Sequence, residues 1–78
     1  MSRYFFELHN GDGMTRDHEG MELPSRDNIL SEVSRIMLDI ARDELPDRES
    51  GAVSVIVRDE TGRAISIANL NFSSHWLD

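Results

Sequence analysis

The chain of 78 residues contains no cysteine and no lysine, and none of its apolar runs approaches the roughly 20 residues that span a bilayer. The absence of cysteine excludes disulfides, iron–sulfur clusters, thiolate zinc sites and cysteine nucleophiles. The first twelve residues lack the basic start and apolar core of a signal peptide. We therefore expect a cytoplasmic protein with no membrane partner.

Positive charge is also scarce, since 8 arginines stand against 15 acidic residues and the formal net charge is −7. Phosphate contacts dominate the affinity of proteins for nucleic acids, so this charge predicts no direct nucleic-acid binding. The length fits a single domain over 1–78, because chains divide into domains of roughly 100–150 residues. A domain this small has little room for a large ligand pocket.

The first 17 residues predict a β-hairpin. Residues 3–9 are rich in aromatic side chains, and their alternation places Tyr4, Phe6 and Leu8 on one face. Asn10-Gly11 is typical of a tight hairpin turn, and residues 14–17 form the returning strand. Residues 21–24 should be extended, because a residue before proline avoids helical angles.

Residues 25–45 predict a helix that starts at Ser25 as N-cap, with Asp27 in its first turn. Its apolar side chains recur at helical spacing and define one buried face, namely Ile29, Val33, Ile36, Met37 and Ile40, with Leu30 and Ala41 at the margin. Leu38 points away from that face and Leu45 lies near Leu38 on the helix. Both should meet solvent unless something covers them.

Residues 52–71 predict a second hairpin. Val53, Val55 and Val57 alternate with more polar positions, and the turn at residues 59–62 ends in Gly62. Residues 73–78 form a docked turn or a free tail. The order β-β-α-β-β predicts an α+β fold in which one helix packs on one face of an antiparallel four-stranded sheet.

The segment from His9 to Glu22 is the only place where metal-ligating side chains cluster. Asp12, Asp17, His18 and Glu19 are weak candidates for ligands. Asn10-x-Asp12 begins like a calcium loop, but Met14 stands where a third oxygen ligand belongs. We therefore predict no metal and no cofactor, and a cation-binding hairpin remains a further hypothesis.

Catalytic motifs are missing as well. The serines lie without a flanking base motif, and the glycines precede strand-like segments rather than opening a helix as a phosphate cradle does. The sequence therefore predicts a protein that is not an enzyme. Its surfaces are more informative.

Four apolar side chains are the candidate interaction residues: Phe5, Ile56, Leu38 and Trp76. Phe5 and Ile56 should lie on the sheet face that the helix does not cover, and Phe72, Trp76 and Leu77 can extend this patch. Three interpretations remain open. The tail covers the patch, two copies pack sheet to sheet as a homodimer, or a different protein docks there.

The chain resembles a family of small bacterial domains of unknown function. The resemblance is carried by Arg3-Tyr4-Phe5-Phe6-x-Leu8, Gly11-Asp12-Gly13, Asp17-x-Glu19-Gly20-x-Glu22-Leu23-Pro24 and Val57-x-Asp59-Glu60-x-Gly62. It implies a single-helix domain of this length that closes with a hairpin, and it implies no activity. The tail with Trp76 looks individual to this protein.

We expect a non-enzymatic protein-interaction or self-associating module. The alternative is an acidic regulatory partner of a basic protein, of the antitoxin-like or nucleic-acid-mimicking kind. Salt-sensitive association with a basic protein would distinguish this alternative from apolar self-association. The divalent-cation site in the first hairpin is the third hypothesis.

Overall fold

A computed structural model describes residues 2–11 and 13–78 of the chain. These residues form one helix and five strands. In chain order they are β1 (Ser2–Asn10), β2 (Gly13–Thr15), β3 (Met21–Leu23), α1 (Arg26–Glu44), β4 (Ser50–Arg58) and β5 (Ala64–Ser73). The α+β architecture expected from the sequence is confirmed.

All strand pairs are antiparallel, and the order across the sheet is β2-β1-β4-β5. The short strands β2 and β3 share one side of β1: β2 pairs with its C-terminal end and β3 with its N-terminal end. The long strand β5 pairs with β4. Among the described residues β5 is therefore an outer strand of the sheet.

The core lies between α1 and the middle of the sheet. Alternation along β1 and β4 directs Phe6, Val55 and Val57 toward the helix, where they are buried. The helix contributes Ile29, Val33 and Met37, whose spacing of four residues keeps them on one face. The inner face predicted for the second hairpin is thus confirmed.

The prediction of four strands was wrong in one respect, because Met21–Leu23 is a fifth strand that pairs with Ser2, Arg3 and Tyr4. A segment of three residues before a proline is too short to show alternation, so the sequence indicated only an extended chain there. The other elements start or end within two residues of the predicted bounds.

Two details of the helix differ from expectation. Ser25 occupies the N-cap position, but its hydroxyl donates to Oδ1 of Asn28 at 2.9 Å and makes no cap to the helix backbone. Leu45 is half-buried because it packs on Gly51, where an added Cβ would lie 2.8 Å from Cδ2 of Leu45. Leu38 is exposed as predicted.

Candidate functional site

The sheet face that lacks a helix carries a buried carboxylate at its centre. Glu7 is only 6% exposed although it points away from the core. Its Oε2 lies 2.7 Å from the ring nitrogen Nε2 of His9, and its Oε1 lies 3.5 Å from Nε of both Arg16 and Arg58. Side chains from β1, β4 and the chain after β2 therefore cover one carboxylate.

The surroundings of Glu7 favour its ionised form. The hydrogen bond with His9 lowers the pKa of this carboxyl below its ordinary value, and burial acts in the opposite direction. The hydrogen bond with Arg58 and the charges of Arg58 and Arg16 add to the lowering. An ionised carboxylate held by three partners suits a structural role better than proton transfer.

The Glu7 cluster changes the interpretation of the predicted apolar patch. Phe5 lies opposite Arg58, and Ile56 lies opposite both Glu7 and Ile67. Phe72 lies opposite Gly51, two residues beyond the inward-facing Leu70, so it belongs to the helix side of the sheet. Phe5 and Ile56 therefore share the uncovered face with the Glu7 cluster, and the expectation that Phe72 extends their patch was wrong.

The C-terminal tail does not cover this face. The backbone N–H of Ser74 donates to the carbonyl of Glu49 at 2.7 Å, after which residues 75–78 have no regular structure. Trp76 is 86% exposed and Leu77 is 98% exposed. Of the three interpretations left open by the sequence, the covering tail is the one that this structure contradicts.

The carboxylate of Asp17, a candidate metal ligand, accepts hydrogen bonds from backbone N–H groups instead. Its Oδ2 accepts from the N–H of Phe6 at 3.3 Å, and its Oδ1 accepts from the N–H groups of Glu19 and Gly20 at 3.1 and 3.0 Å. Burial raises the pKa of this carboxyl, but these three backbone donors outweigh burial and hold the pKa below its usual value. The carboxylate thus joins β1 to the loop between β2 and β3.

The other metal candidates are His18, Glu19 and Asp12. His18 and Glu19 are exposed, and the backbone carbonyl of Glu19 accepts from Nη1 of Arg3 at 2.7 Å. Asp12 lies outside the described residues. Within 2–11 and 13–78, no three histidine or carboxylate side chains gather in a way that suits a metal ion.

The free edge of β5 is the second notable surface. Residues 64–73 contain no charged residue and no proline, although proteins protect exposed edge strands with such residues. The opposite side of the sheet is protected, since β2 and β3 are three residues each and Asp17 occupies the gap between them. The edge of the sheet at β2 and β3 is therefore protected, and the edge at β5 is not.

The backbone of β5 exposes alternate hydrogen-bonding groups. The bond from Ser74 to Glu49 marks a hydrogen-bonded pair, and such pairs recur at every second residue of an antiparallel ladder. The N–H and C=O groups of Ile67, Asn69 and Asn71 consequently point away from β4. An extended segment placed alongside β5 finds these groups in position.

An apolar groove runs between α1 and β5, because the helix packs mainly on β4 and β3. Its volume is about 240 Å³, and its lining includes Arg26, Leu30, Val33, Ile65 and Ala68. Leu30 is 68% exposed here, whereas the sequence placed it at the margin of the core. The charged side chains of α1 pair with one another on its opposite flank, namely Glu32, Arg35, Asp39 and Arg42.

Sequence reasoning missed both the Glu7 cluster and the β5 edge. Alternation placed Glu7 on the uncovered face, where a carboxylate is expected to be wet, and gave no sign that His9, Arg16 and Arg58 converge on it. Strand order cannot be read from alternation. The lack of charge over 64–73 was the available signal for an unprotected edge.

Comparison with known proteins gives a family without an assigned activity. A family model described as a domain of unknown function (DUF6894) matches residues 3–71. Neither the curated proteins nor the solved structures yield a match. Within the part of the chain that the structure describes, no helix has the length and apolar character required to cross a membrane.

Proposed function

The chain belongs to the DUF6894 family of domains of unknown function, and we propose that it is a non-enzymatic module that self-associates through β5. The free edge of β5 pairs antiparallel with the same edge of a second copy. The observation that carries this proposal is the unprotected edge, which is ten residues long and uncharged. Such an edge is a template for strand addition.

The size gradient along β5 favours a second copy as the occupant. On the helix side of the sheet, Ser66 and Ala68 are small, whereas Leu70 and Phe72 are large. Antiparallel pairing that keeps inward side chains opposite each other places Phe72 of one copy against Ser66 of the other. Large side chains thereby meet small ones twice, as a self-complementary twofold interface requires.

The resulting dimer has a continuous sheet with both helices on the same face. The twofold axis lies perpendicular to the sheet near Ala68 and Asn69. Leu30, which lines the groove, then borders the second copy, whereas the charged flank of α1 remains in solvent. This arrangement gives the exposed apolar side chain of Leu30 a partner and leaves the ion pairs of α1 in solvent.

The other surfaces support association less well. The face around Phe5 and Ile56 contains the Glu7 cluster, so sheet-to-sheet packing would bury His9, Arg16 and Arg58 against a like set of charges. The acidic-partner alternative draws on the net charge of −7, but two acids of α1, Glu32 and Asp39, already pair with arginines of the same helix.

The proposal includes neither catalysis nor direct nucleic-acid binding. Glu7 and Asp17, which have three partners each, have pKa values lowered rather than raised toward neutrality. The negative net charge opposes contact with phosphates. A chain without cysteine fits the reducing cytoplasm, where we place its action.

Light scattering with a matched pair of variants tests the proposal. Asn69→Pro removes an outward-pointing N–H of β5, and Asn69→Ala keeps it, while both lose the hydrogen bond between Ser54 and Asn69. We expect the unchanged chain and Asn69→Ala to give twice the chain mass at high concentration, and a folded Asn69→Pro to give the mass of one chain. A single-chain mass for the unchanged protein at every concentration would overturn the proposal.

A further inference from the structure

The tail that follows β5 contains the largest unburied aromatic side chain of the protein. Trp76 is the single tryptophan, and like Leu77 it lies almost fully in solvent. The family match ends at residue 71, so the tail lies outside the matched region. A tail carrying exposed tryptophan and leucine side chains suits contact with an apolar surface.

We propose that the tail of each copy, together with Phe72 at the end of β5, docks on the second copy, with Phe72 beside Leu30 and Trp76 beside Arg26 and Tyr4. This inference rests on the proposed self-association through β5 and names a further part of the same interface. The tail is therefore an exchanged arm that strengthens the dimer.

The direction of the strands brings the tail to this place. In the antiparallel pair, the C-terminal end of one copy's β5, at Ser73, lies beside the N-terminal end of the other copy's β5, near Ala64. The tail of the first copy then continues along the turn at residues 59–63 of the other. The helix side of that turn holds a cleft of about 330 Å³, lined by Arg3, Tyr4, Arg26, Asp59 and Ile65 among others. Arg26 and Ile65 also line the groove between α1 and β5, so groove and cleft adjoin.

The side chains fit the sites they reach. Trp76 has the same parity as Leu70 and Phe72, so an extended tail turns it toward the helix side of the sheet. The guanidinium of Arg26 then offers a cation for the indole face, and the carboxylates of Asp59 and Glu60 border the same cleft as acceptors for the indole N–H. An aromatic ring with one polar atom matches a cleft lined by both kinds of group.

The area needed by a stable dimer supports the same arrangement. A specific interface buries about 1,200–2,000 Å² in total, and a pair of edge strands forms only a narrow strip. Burying one tryptophan covers roughly 150–250 Å², so two docked Trp76 side chains add roughly 300–500 Å². In the single chain, the side chain of Trp76 is exposed to solvent.

Tryptophan fluorescence tests the inference directly, because Trp76 is the only tryptophan and reports on the tail alone. We expect emission at short wavelength and weak quenching by iodide at concentrations where light scattering shows a dimer. Dilution to the single chain should shift the emission to longer wavelength. The two transitions should coincide in concentration.

Matched variants locate the contact. Leu30→Ser and Leu38→Ser alter side chains of similar exposure on the same helix, but only Leu30 lines the groove. We expect Leu30→Ser to weaken the dimer about tenfold or more and to expose Trp76 at intermediate concentration, and Leu38→Ser to change neither. Removing residues 75–78 should likewise weaken the dimer about tenfold or more while leaving it antiparallel.

The outcomes separate this inference from the proposed function. If Trp76 stays exposed to solvent in a protein of twice the chain mass, tail docking is overturned and strand pairing is left intact. Equal effects of Leu30→Ser and Leu38→Ser also overturn tail docking in this groove. A protein that remains a single chain at all concentrations overturns both proposals.

Discussion

Oδ2 of Asp17 accepts a hydrogen bond from the backbone N–H of Phe6 at 3.3 Å, in the gap between β2 and β3. A side chain therefore satisfies the backbone of β1 where neither short strand reaches it. At the opposite edge of the sheet, no side chain of the described residues is seen to bond the outward-pointing N–H and C=O groups of β5 in this way. This asymmetry is the structural basis for assigning association to β5.

Replacing Asp17 should destabilise the domain. Asp17→Asn replaces the carboxylate, whose two oxygens accept from three backbone N–H groups, with an amide that has only one accepting oxygen. We expect a loss of about 1–2 kcal/mol in the free energy of unfolding, measured by urea denaturation. Asp43→Asn, on the exposed surface of α1, is the control and should change stability by less than about 0.5 kcal/mol.

Acid should destabilise the protein through lowered carboxyl pKa values. Glu7, Asp17 and Asp59 each have a pKa below the ordinary value in the folded chain. Such groups contribute stability above their unfolded pKa values and lose it as pH falls through the folded ones. Urea midpoints should fall as pH drops below about 4, and Asp17→Asn should reduce this dependence. A midpoint constant from pH 6 to pH 2 would contradict the assignment.

Gly20 should tolerate no side chain. Its φ is +74°, and a Cβ there would lie 2.8 Å from Cε2 of Phe5 and 2.9 Å from the carbonyl oxygen of Tyr4. Gly62 has a similar φ of +87° with open space around it, so it separates backbone strain from steric clash. We expect Gly62→Ala to cost about 1 kcal/mol and Gly20→Ala clearly more, by thermal or urea unfolding. Equal losses of stability in Gly20→Ala and Gly62→Ala would contradict the expected clash and mean that β1 shifts to make room for the added Cβ.

The sequence predicted the long elements well because their periodicity has a direct physical cause. Val53, Val55 and Val57 alternate, and Ile29, Val33 and Met37 recur every four residues, so burial of one face selects strand and helix. The sequence did not predict the position of β5 at the edge, because strand order depends on contacts between distant segments. It did not predict the burial of Glu7 for the same reason, since its partners come from three parts of the chain.

The core under α1 should be sensitive to small changes in volume. Val55 is fully buried in the centre of β4, and Val55→Ala leaves a cavity in the core cluster that also contains Phe6, Val33 and Met37. We expect a loss of about 2 kcal/mol in the free energy of unfolding. Leu38→Ala removes a larger but exposed side chain and should cost less than about 0.5 kcal/mol.

Amide hydrogen exchange along β5 tests the central claim most directly, because it reads the hydrogen bonds of each residue. Where the protein is at twice the chain mass, we predict slow exchange at Ile67, Asn69 and Asn71. Dilution should make these three amides exchange fast, while Ala68 and Leu70, which bond to β4, keep their protection. Fast exchange at Ile67, Asn69 and Asn71 in a protein of twice the chain mass would show that the copies associate elsewhere, and would contradict the account.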